Sequence, residues 1–178
     1  EILIGLVGSE MCIRDSSTTP LVLDADALNC VAKQPEILLR KKAPIIITPH
    51  PGEMSRLTGL ATPLVNAERE RVALDFAQKY GVVTVLKGAG TVIASPNGKV
   101  LVNPTGNSGM ATGGSGDVLA GMTASILAQG ASAFSSAAAA VYLHGLAGDI
   151  AAEKYGKISM LPTDLINCIP LAYKRCDF

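Results

Sequence analysis

The chain has 178 residues, 48% of them hydrophobic, and 15 basic residues balance 15 acidic ones, so we expect one domain of ordinary size without general affinity for nucleic acid or membrane surfaces. No apolar run reaches the roughly 20 residues that span a bilayer, and no secretory signal is recognisable. The four cysteines form no C-x-x-C pair, which indicates a reducing compartment, and we expect the protein to lie in the cytoplasm.

Residues 1–18 do not resemble the start of a domain, because no strand-turn-helix pattern links them to the first predicted strand. Their part from Gly8 to Ser16 resembles translated adapter or vector sequence joined to a truncated reading frame. We therefore predict that residues 1–18 are non-native. The alternative is an ordinary N-terminal strand over Ile2–Val7.

From residue 19 onward, strands and helices alternate. Short apolar runs predict strands at Leu21–Leu23, Ile45–Ile47 and Val82–Leu86. Helices are predicted over 27–32, 36–40, 53–57 and 67–80, the last with Arg69 on its outer face. This alternation is typical of an α/β domain with a mostly parallel sheet and right-handed crossovers.

A hairpin then breaks this alternation. Thr91–Ser95 and Lys99–Val102 flank Pro96-Asn97-Gly98, a strong turn signal. Three helices are predicted after it, at 118–129, 134–155 and 164–173, with Thr163 capping the last. His144, inside the second of them, is expected to be a packed core histidine.

Four loops that come after strands carry the polar residues: Asp24–Asn29, Thr48–Glu53, Lys87–Thr91 and Thr105–Asp117. In a mostly parallel sheet these loops gather at one edge, where open α/β sheets bind ligands. The last has five glycines within eleven residues ahead of a helix, so its bare backbone N–H groups and the helix dipole predict an anion site.

The individual polar residues have competing interpretations. Asp117 either caps the helix after it or acts as a base beside a phosphate. Asp24 and Asp26 either cap a helix or face a ligand. His50, fixed between two prolines, favours a functional role, whereas Glu53 also suits a helix dipole.

Neither common phosphate motif fits the glycine-rich loop. Ser115 stands where a Walker A loop needs lysine, and Leu119 stands where a dinucleotide fingerprint needs its last glycine. The four loops together still offer carboxylates, a fixed histidine, a lysine and an anion site. Such a set suits phosphoryl transfer on a nucleotide, with a carboxylate helping to hold magnesium and an aspartate accepting a hydroxyl proton.

Four motifs, in this order, resemble the ADP-dependent NAD(P)H-hydrate dehydratases. They are L-D-A-D-A-L-N at 23–29, T-P-H-P-G-E at 48–53, V-L-K-G-A-G-T at 85–91 and N-S-G-M-A-T-G-G-S-G-D-V-L-A-G at 107–121. The resemblance implies a ribokinase-like three-layer α/β/α fold with a mostly parallel sheet and a late antiparallel hairpin. Residues 19–178 would form the C-terminal two-thirds of that domain, with its early strands missing.

The same resemblance implies a hydro-lyase of nicotinamide nucleotide repair. It would dehydrate (S)-NADHX or (S)-NADPHX to NADH or NADPH while ADP, or ATP in its place, is cleaved with Mg²⁺. With ADP the products would be AMP and phosphate, by phosphorylation of the hydrate's hydroxyl and elimination of phosphate. The full-length parent is expected to be a homo-oligomer.

By this resemblance Asp117 is the catalytic base and contacts the substrate. We expect His50, Asp26 and Asn29 to bind the substrate as well, and Glu53 to act indirectly on magnesium. The residues expected to bind the nucleotide are Lys87, Gly88, Ala89, Gly90, Thr91, Asn107, Gly113, Gly114, Ser115 and Gly116.

Two alternatives stay open. A small-molecule kinase of the same fold, similar to hydroxyethylthiazole kinase, would use the same anion site and Asp117, although the motif at 48–53 argues against it. The other alternative is an inactive fragment that still binds a nucleotide, which the expected truncation favours.

Overall fold

The computed structural model describes residues 18–176, which are organised around a five-stranded sheet. Its strands are β1 (Leu21–Leu23), β2 (Ile45–Ile47), β3 (Val83–Leu86), β4 (Val92–Ala94) and β5 (Val100–Val102). They lie side by side in that order; β1–β2 and β2–β3 are parallel, and β3–β4 and β4–β5 are antiparallel. The predicted α/β sheet with a late hairpin is confirmed. The predictions for residues 1–17, including a strand at Ile2–Val7, lie outside the described residues.

Helices pack on both faces of this sheet. The α-helices are α1 (Asp26–Ala32), α2 (Pro51–Thr58), α3 (Thr62–Ala67), α4 (Arg69–Tyr80), α5 (Ser115–Ala128), α6 (Ala133–Tyr155) and α7 (Pro162–Arg175). Two short 3₁₀ helices lie at Pro35–Arg40 and Ser108–Met110. Among the helices of residues 18–176, none combines the length and the hydrophobicity that a membrane-spanning segment requires.

Two hydrophobic clusters, one on each face of the sheet, produce the three layers. Helices α1 to α4 bury one cluster, which includes Met54 and Phe76, and α5 to α7 bury the other, which includes Val141 and Leu165. Strand β2 contributes to both, because successive side chains of a strand point to opposite faces. Its three isoleucines are therefore fully buried, as expected for a strand covered on both sides.

The strand directions bring the four predicted loops to one edge of the sheet. The chain reverses at β4 and again at β5, so β5 runs in the same direction as β1, β2 and β3. The loops after these four strands therefore all leave at their carboxyl ends. The predicted gathering of the four loops is confirmed.

Three details of the helix predictions are wrong. The helix predicted over 67–80 is α4, which begins at Arg69, because Glu68 has non-helical dihedrals (φ −125°, ψ 42°) and separates it from α3, a helix that was not predicted. The helix predicted from 118 begins three residues earlier at Ser115. Thr163 lies inside α7 instead of capping it; the Asp164 carboxylate accepts the Leu161 N–H at 2.9 Å.

Candidate functional site

The glycine-rich loop is held in place by helix α6. The Asp149 carboxylate accepts the backbone N–H of Gly106 at 2.8 Å and the side-chain amide of Asn107 at 2.9 Å. That amide also donates to the Gly148 carbonyl at 3.0 Å, and the Asn107 side-chain oxygen accepts the Gly109 N–H at 3.0 Å. The side chain of Asn107 therefore shapes the loop, and its contact with a nucleotide stays a prediction.

The N-cap of helix α5 is Gly114, whose left-handed backbone (φ 94°) only glycine adopts easily. No side chain of the described residues caps this end. Among the described residues, no group accepts a hydrogen bond from the backbone N–H of Gly116 or of Asp117. The first turn of α5 therefore presents free donors and the positive end of a 14-residue helix, which is the geometry that binds phosphates.

Asp117 lies in that first turn with an exposed side chain. Within residues 18–176 its carboxylate makes no hydrogen bond or ion pair. The interpretation of Asp117 as the cap of α5 is wrong, because Gly114 is the N-cap and no described side chain caps the helix. An unpaired carboxylate beside free backbone donors is available to accept a proton from a bound hydroxyl.

Lys87 joins three of the loops. Its Nζ lies 2.7 Å from Asp24 Oδ1 and 3.8 Å from Glu53 Oε2, and all three side chains are largely buried. A Cβ placed on Gly116 would lie 3.5 Å from Lys87 Nζ and 3.8 Å from Asp24 Oδ2. The ion cluster Asp24–Lys87–Glu53 therefore borders the first turn of α5.

Asp24, predicted either to cap a helix or to face a ligand but not assigned to the substrate, lies nearer the anion site than Asp26. The N-cap of α1 is Ala25, without a side-chain cap, so the interpretation of either aspartate as a cap is wrong. Asp26 is exposed and accepts a hydrogen bond from Asn29 at 3.3 Å, while Asn29 accepts one from Arg56 Nε at 3.0 Å. Substrate binding by Asp26 and Asn29 stays a prediction. The position of Asp24 directly after a strand was its one sequence signal.

His50 caps helix α2 and is fixed by Glu53. Its Nδ1 accepts the N–H groups of Gly52 (3.0 Å) and Glu53 (3.3 Å), and Glu53 Oε2 accepts the His50 N–H at 2.7 Å. Because Nδ1 is an acceptor, the neutral ring carries its proton on Nε2. About half of the His50 side chain is exposed, so the ring can meet a ligand while its backbone is locked.

The loop Lys87–Thr91 comes directly after β3 and contributes Lys87 to the ion cluster. Gly88 and Gly90 have positive φ angles of 144° and 63°. The Lys87 N–H donates to Pro49 O at 2.8 Å, and the Thr91 hydroxyl donates to Gly88 O at 3.1 Å. This tight, glycine-dependent turn exposes backbone at the edge where the other loops meet.

Two charged or titratable residues outside the loops support them. Arg69 is half-buried and donates to the carbonyl groups of Leu86 (2.9 Å) and Gly90 (3.3 Å), so its predicted outward position is wrong. Burial lowers the pKa of this guanidinium. His144 is buried on α6, and burial lowers its pKa to about 4. Its Nε2 lies 2.9 Å from Ser115 O, so the neutral ring donates to the start of α5. The prediction of a core histidine is confirmed.

Comparison with known proteins agrees with this architecture. A family model described as NAD(P)H-hydrate dehydratase matches residues 13–171. The chain is 45% identical over 158 residues to the bifunctional NAD(P)H-hydrate repair enzyme of Moorella thermoacetica, which covers 89% of this chain and 30% of that protein. The chain therefore spans less than a third of that relative.

Two solved structures extend the agreement to the backbone. The ADP/ATP-dependent NAD(P)H-hydrate dehydratase from Bacillus subtilis, co-crystallised with ATP and Mg²⁺, is 36% identical with a TM-score of 0.82, over 90% of this chain and 56% of that one. A ribokinase-like superfamily protein from Enterococcus faecalis is 30% identical with a TM-score of 0.75, over 97% of this chain and 60% of that one. The ribokinase-like fold is thereby confirmed. With the family match over residues 13–171, the chain belongs to the NAD(P)H-hydrate dehydratase family.

Proposed function

We propose that the protein dehydrates the S epimer of hydrated NADH or NADPH at the expense of ADP, restoring the reduced nicotinamide nucleotide. The observation that carries this proposal is the exposed, unpaired carboxylate of Asp117 in the first turn of α5, beside the free N–H groups of that turn. A base next to a phosphate site is what transfer of a phosphoryl group to a hydroxyl requires.

In the first step the hydroxyl oxygen of the hydrate attacks the β-phosphorus of ADP. The bond from this phosphorus to the bridging oxygen breaks, AMP leaves, and Asp117 accepts the hydroxyl proton. In the second step the C–O bond breaks and phosphate departs with the electron pair. The adjacent carbon gives up a proton to water, and the electrons of its C–H bond form the double bond that restores the reduced nicotinamide.

The phosphates of the nucleotide would lie on the free N–H groups at the start of α5, within reach of Lys87. The Lys87 ammonium is already paired with two carboxylates, so it would act as one member of a charged cluster that orients the phosphates. The loop Lys87–Thr91 would hold the rest of the nucleotide, and His50 would face the hydrate. The half-exposed ring and locked backbone of His50 support that role.

Magnesium fits this site as an ion carried mainly by the nucleotide. Within residues 18–176, no three His, Cys, Asp or Glu side chains are grouped to hold a metal. Mg²⁺ commonly binds through substrate phosphates, water and one or two carboxylates. Glu53 already accepts the His50 N–H and lies near Lys87, so it would act through water. When bound, Mg²⁺ would neutralise phosphate charge.

The direct test supplies the chain with (S)-NADHX and ADP and measures the absorbance of reduced nicotinamide over time. We expect the absorbance to rise while AMP and phosphate form in equal amounts. A stable phosphorylated hydroxyethylthiazole product, formed instead of NADH, would assign the site to a kinase. A folded chain that binds ADP but restores no NADH would contradict the proposed activity.

A further inference from the structure

The nucleotide loop Lys87–Thr91 is held from behind by one side chain of helix α4. Arg69, the first residue of α4, donates from Nη2 to Leu86 O at 2.9 Å and to Gly90 O at 3.3 Å. These two carbonyl groups lie on the two arms of the loop. The two N–H bonds of this one amino group therefore hold the arms together, and the planar guanidinium fixes their directions, whereas a lysine ammonium rotates freely.

The loop backbone also rests against this guanidinium. A Cβ placed on Gly88 would overlap Arg69 Nη1, and the φ of 144° at Gly88 is unfavourable for any other residue. Gly88 therefore allows the close approach, and Arg69 fills the space beneath it. The two residues form one unit that sets the path of the loop.

Arg69 has no counter-charge among the described residues. No carboxylate of residues 18–176 lies within ion-pair distance of it, and its Nε is buried without a hydrogen-bond acceptor. The acidic neighbour Glu68 pairs instead with Arg71, which also pairs with Asp75 at 3.1 Å. A half-buried cation that serves only carbonyl oxygens leaves a net positive charge under the loop, which favours an anionic ligand above it.

We propose that Arg69 is a positioning residue that fixes the loop Lys87–Thr91 in the conformation that binds a nucleoside diphosphate. The inference rests on the proposed function for its ligand, but the fixing of the loop is a property of the free protein. This role of Arg69 also accounts for an arginine at the first position of α4, just after the break at Glu68. The break turns the first residue of α4 toward the sheet edge.

The test compares Arg69→Gln with Arg71→Gln, a change on the same helix whose side chain is half exposed. In the ADP-free protein, we expect the backbone ¹⁵N order parameters of Gly88 to Gly90 to fall from rigid values of about 0.85 toward 0.6 in Arg69→Gln only. The Kd for ADP should rise roughly tenfold, the loss expected for charge-assisted hydrogen bonds, with kcat changed much less. Arg71→Gln should match the parent in all three measurements.

The substitution Arg69→Lys distinguishes the effect of the two hydrogen bonds to the loop from the effect of the positive charge. Lysine keeps the positive charge on a freely rotating ammonium group in place of the fixed planar amino group, so the loop should stay mobile and ADP affinity should recover only in part. Unchanged order parameters in Arg69→Gln, or full recovery by lysine, would overturn the inference. A parent chain that fails to bind ADP would instead refute the proposed function, while the order parameters still decide whether Arg69 fixes the loop.

Discussion

At the scale of single residues, Asp117 separates catalysis from binding. Its carboxylate makes no contact that stabilises the described structure, so Asp117→Asn should leave the fold intact. We expect kcat for dehydration to fall about 10²- to 10⁴-fold, the contribution of a general base, with the Kd for ADP nearly unchanged. Single-turnover formation of NADH and calorimetric ADP binding measure the two quantities.

The matched control is Asp75→Asn, an exposed aspartate on α4 that should leave both quantities as they are. An Asp117→Asn variant that keeps most of its turnover would show that this carboxylate is not the base. In that event Asp24, the other carboxylate beside the first turn of α5, would be the residue to change next.

His144 makes the stability of the protein depend on pH. Burial lowers its pKa to about 4 from the ordinary value of 6.5, so the unfolded chain takes up the proton more readily than the folded one. Above pH 6.5 the ring is neutral in both states, and the free energy of unfolding is not reduced by this histidine. As the pH falls from 6.5 toward 4, only the unfolded chain binds the proton, so the free energy of unfolding decreases. The shift corresponds to about 3 kcal/mol of unfolding free energy at most.

We expect His144→Gln to lose less stability than the parent between pH 7 and pH 4.5, since an amide can donate to Ser115 O without titrating. Urea unfolding at the two pH values measures the difference. Equal pH dependence in both proteins would mean that other groups cause the acid loss.

At the scale of elements, helix α6 and the glycine-rich loop meet backbone to backbone. A Cβ on Gly145 would overlap the Thr105 hydroxyl and lie 2.8 Å from its carbonyl carbon. Because backbone would have to move, we expect Gly145→Ala to lower the free energy of unfolding by about 1–3 kcal/mol and to weaken ADP binding through the displaced loop.

Gly121→Ala is the matched control, since Gly121 is exposed on α5 with nothing within 4 Å of a Cβ. There alanine should stabilise by about 0.5–1 kcal/mol through helix propensity. Denaturant unfolding of both variants decides the matter. If both substitutions stabilise, α6 and the loop are not in the close contact described.

The positions of the strands could be predicted from the sequence more accurately than the directions in which side chains point. The β-branched, apolar run Ile45–Ile47 favoured a strand buried on both faces, and the turn Pro96-Asn97-Gly98 favoured the hairpin. The break at Glu68 left no such signal, because its neighbours are good helix formers. Without the break, the helical pattern placed Arg69 outside.

The candidate site was predictable to a similar extent. The positions of the loops follow from strand order, so Asp117 and Lys87 were found at the correct edge. Which aspartate of Asp24-Ala25-Asp26 turns inward depends on the positive φ of Ala25 (48°), which the sequence does not suggest. Tertiary contacts, such as the pair Asp24–Lys87, outweighed the local preference for capping.

At the scale of the whole molecule, the candidate site draws loops from both halves of the fold. Asp24 and Lys87 lie just after strands of the central sheet and Glu53 lies in α2 on one face of it, whereas the first turn of α5 belongs to the layer on the other face. A nucleotide bound between them should resist separation of the two layers. We therefore expect ADP to stabilise the entire described fold and not only the loops.

The expected gain in unfolding free energy is about 2.7 kcal/mol at an ADP concentration one hundred times its Kd. Thermal unfolding with increasing ADP measures it, and adenosine, which lacks the phosphates, should give a much smaller shift. Asp117→Asn should keep the shift, since it retains the backbone donors of α5, whereas Gly145→Ala should reduce it. An equal shift with adenosine would place the binding energy away from the start of α5.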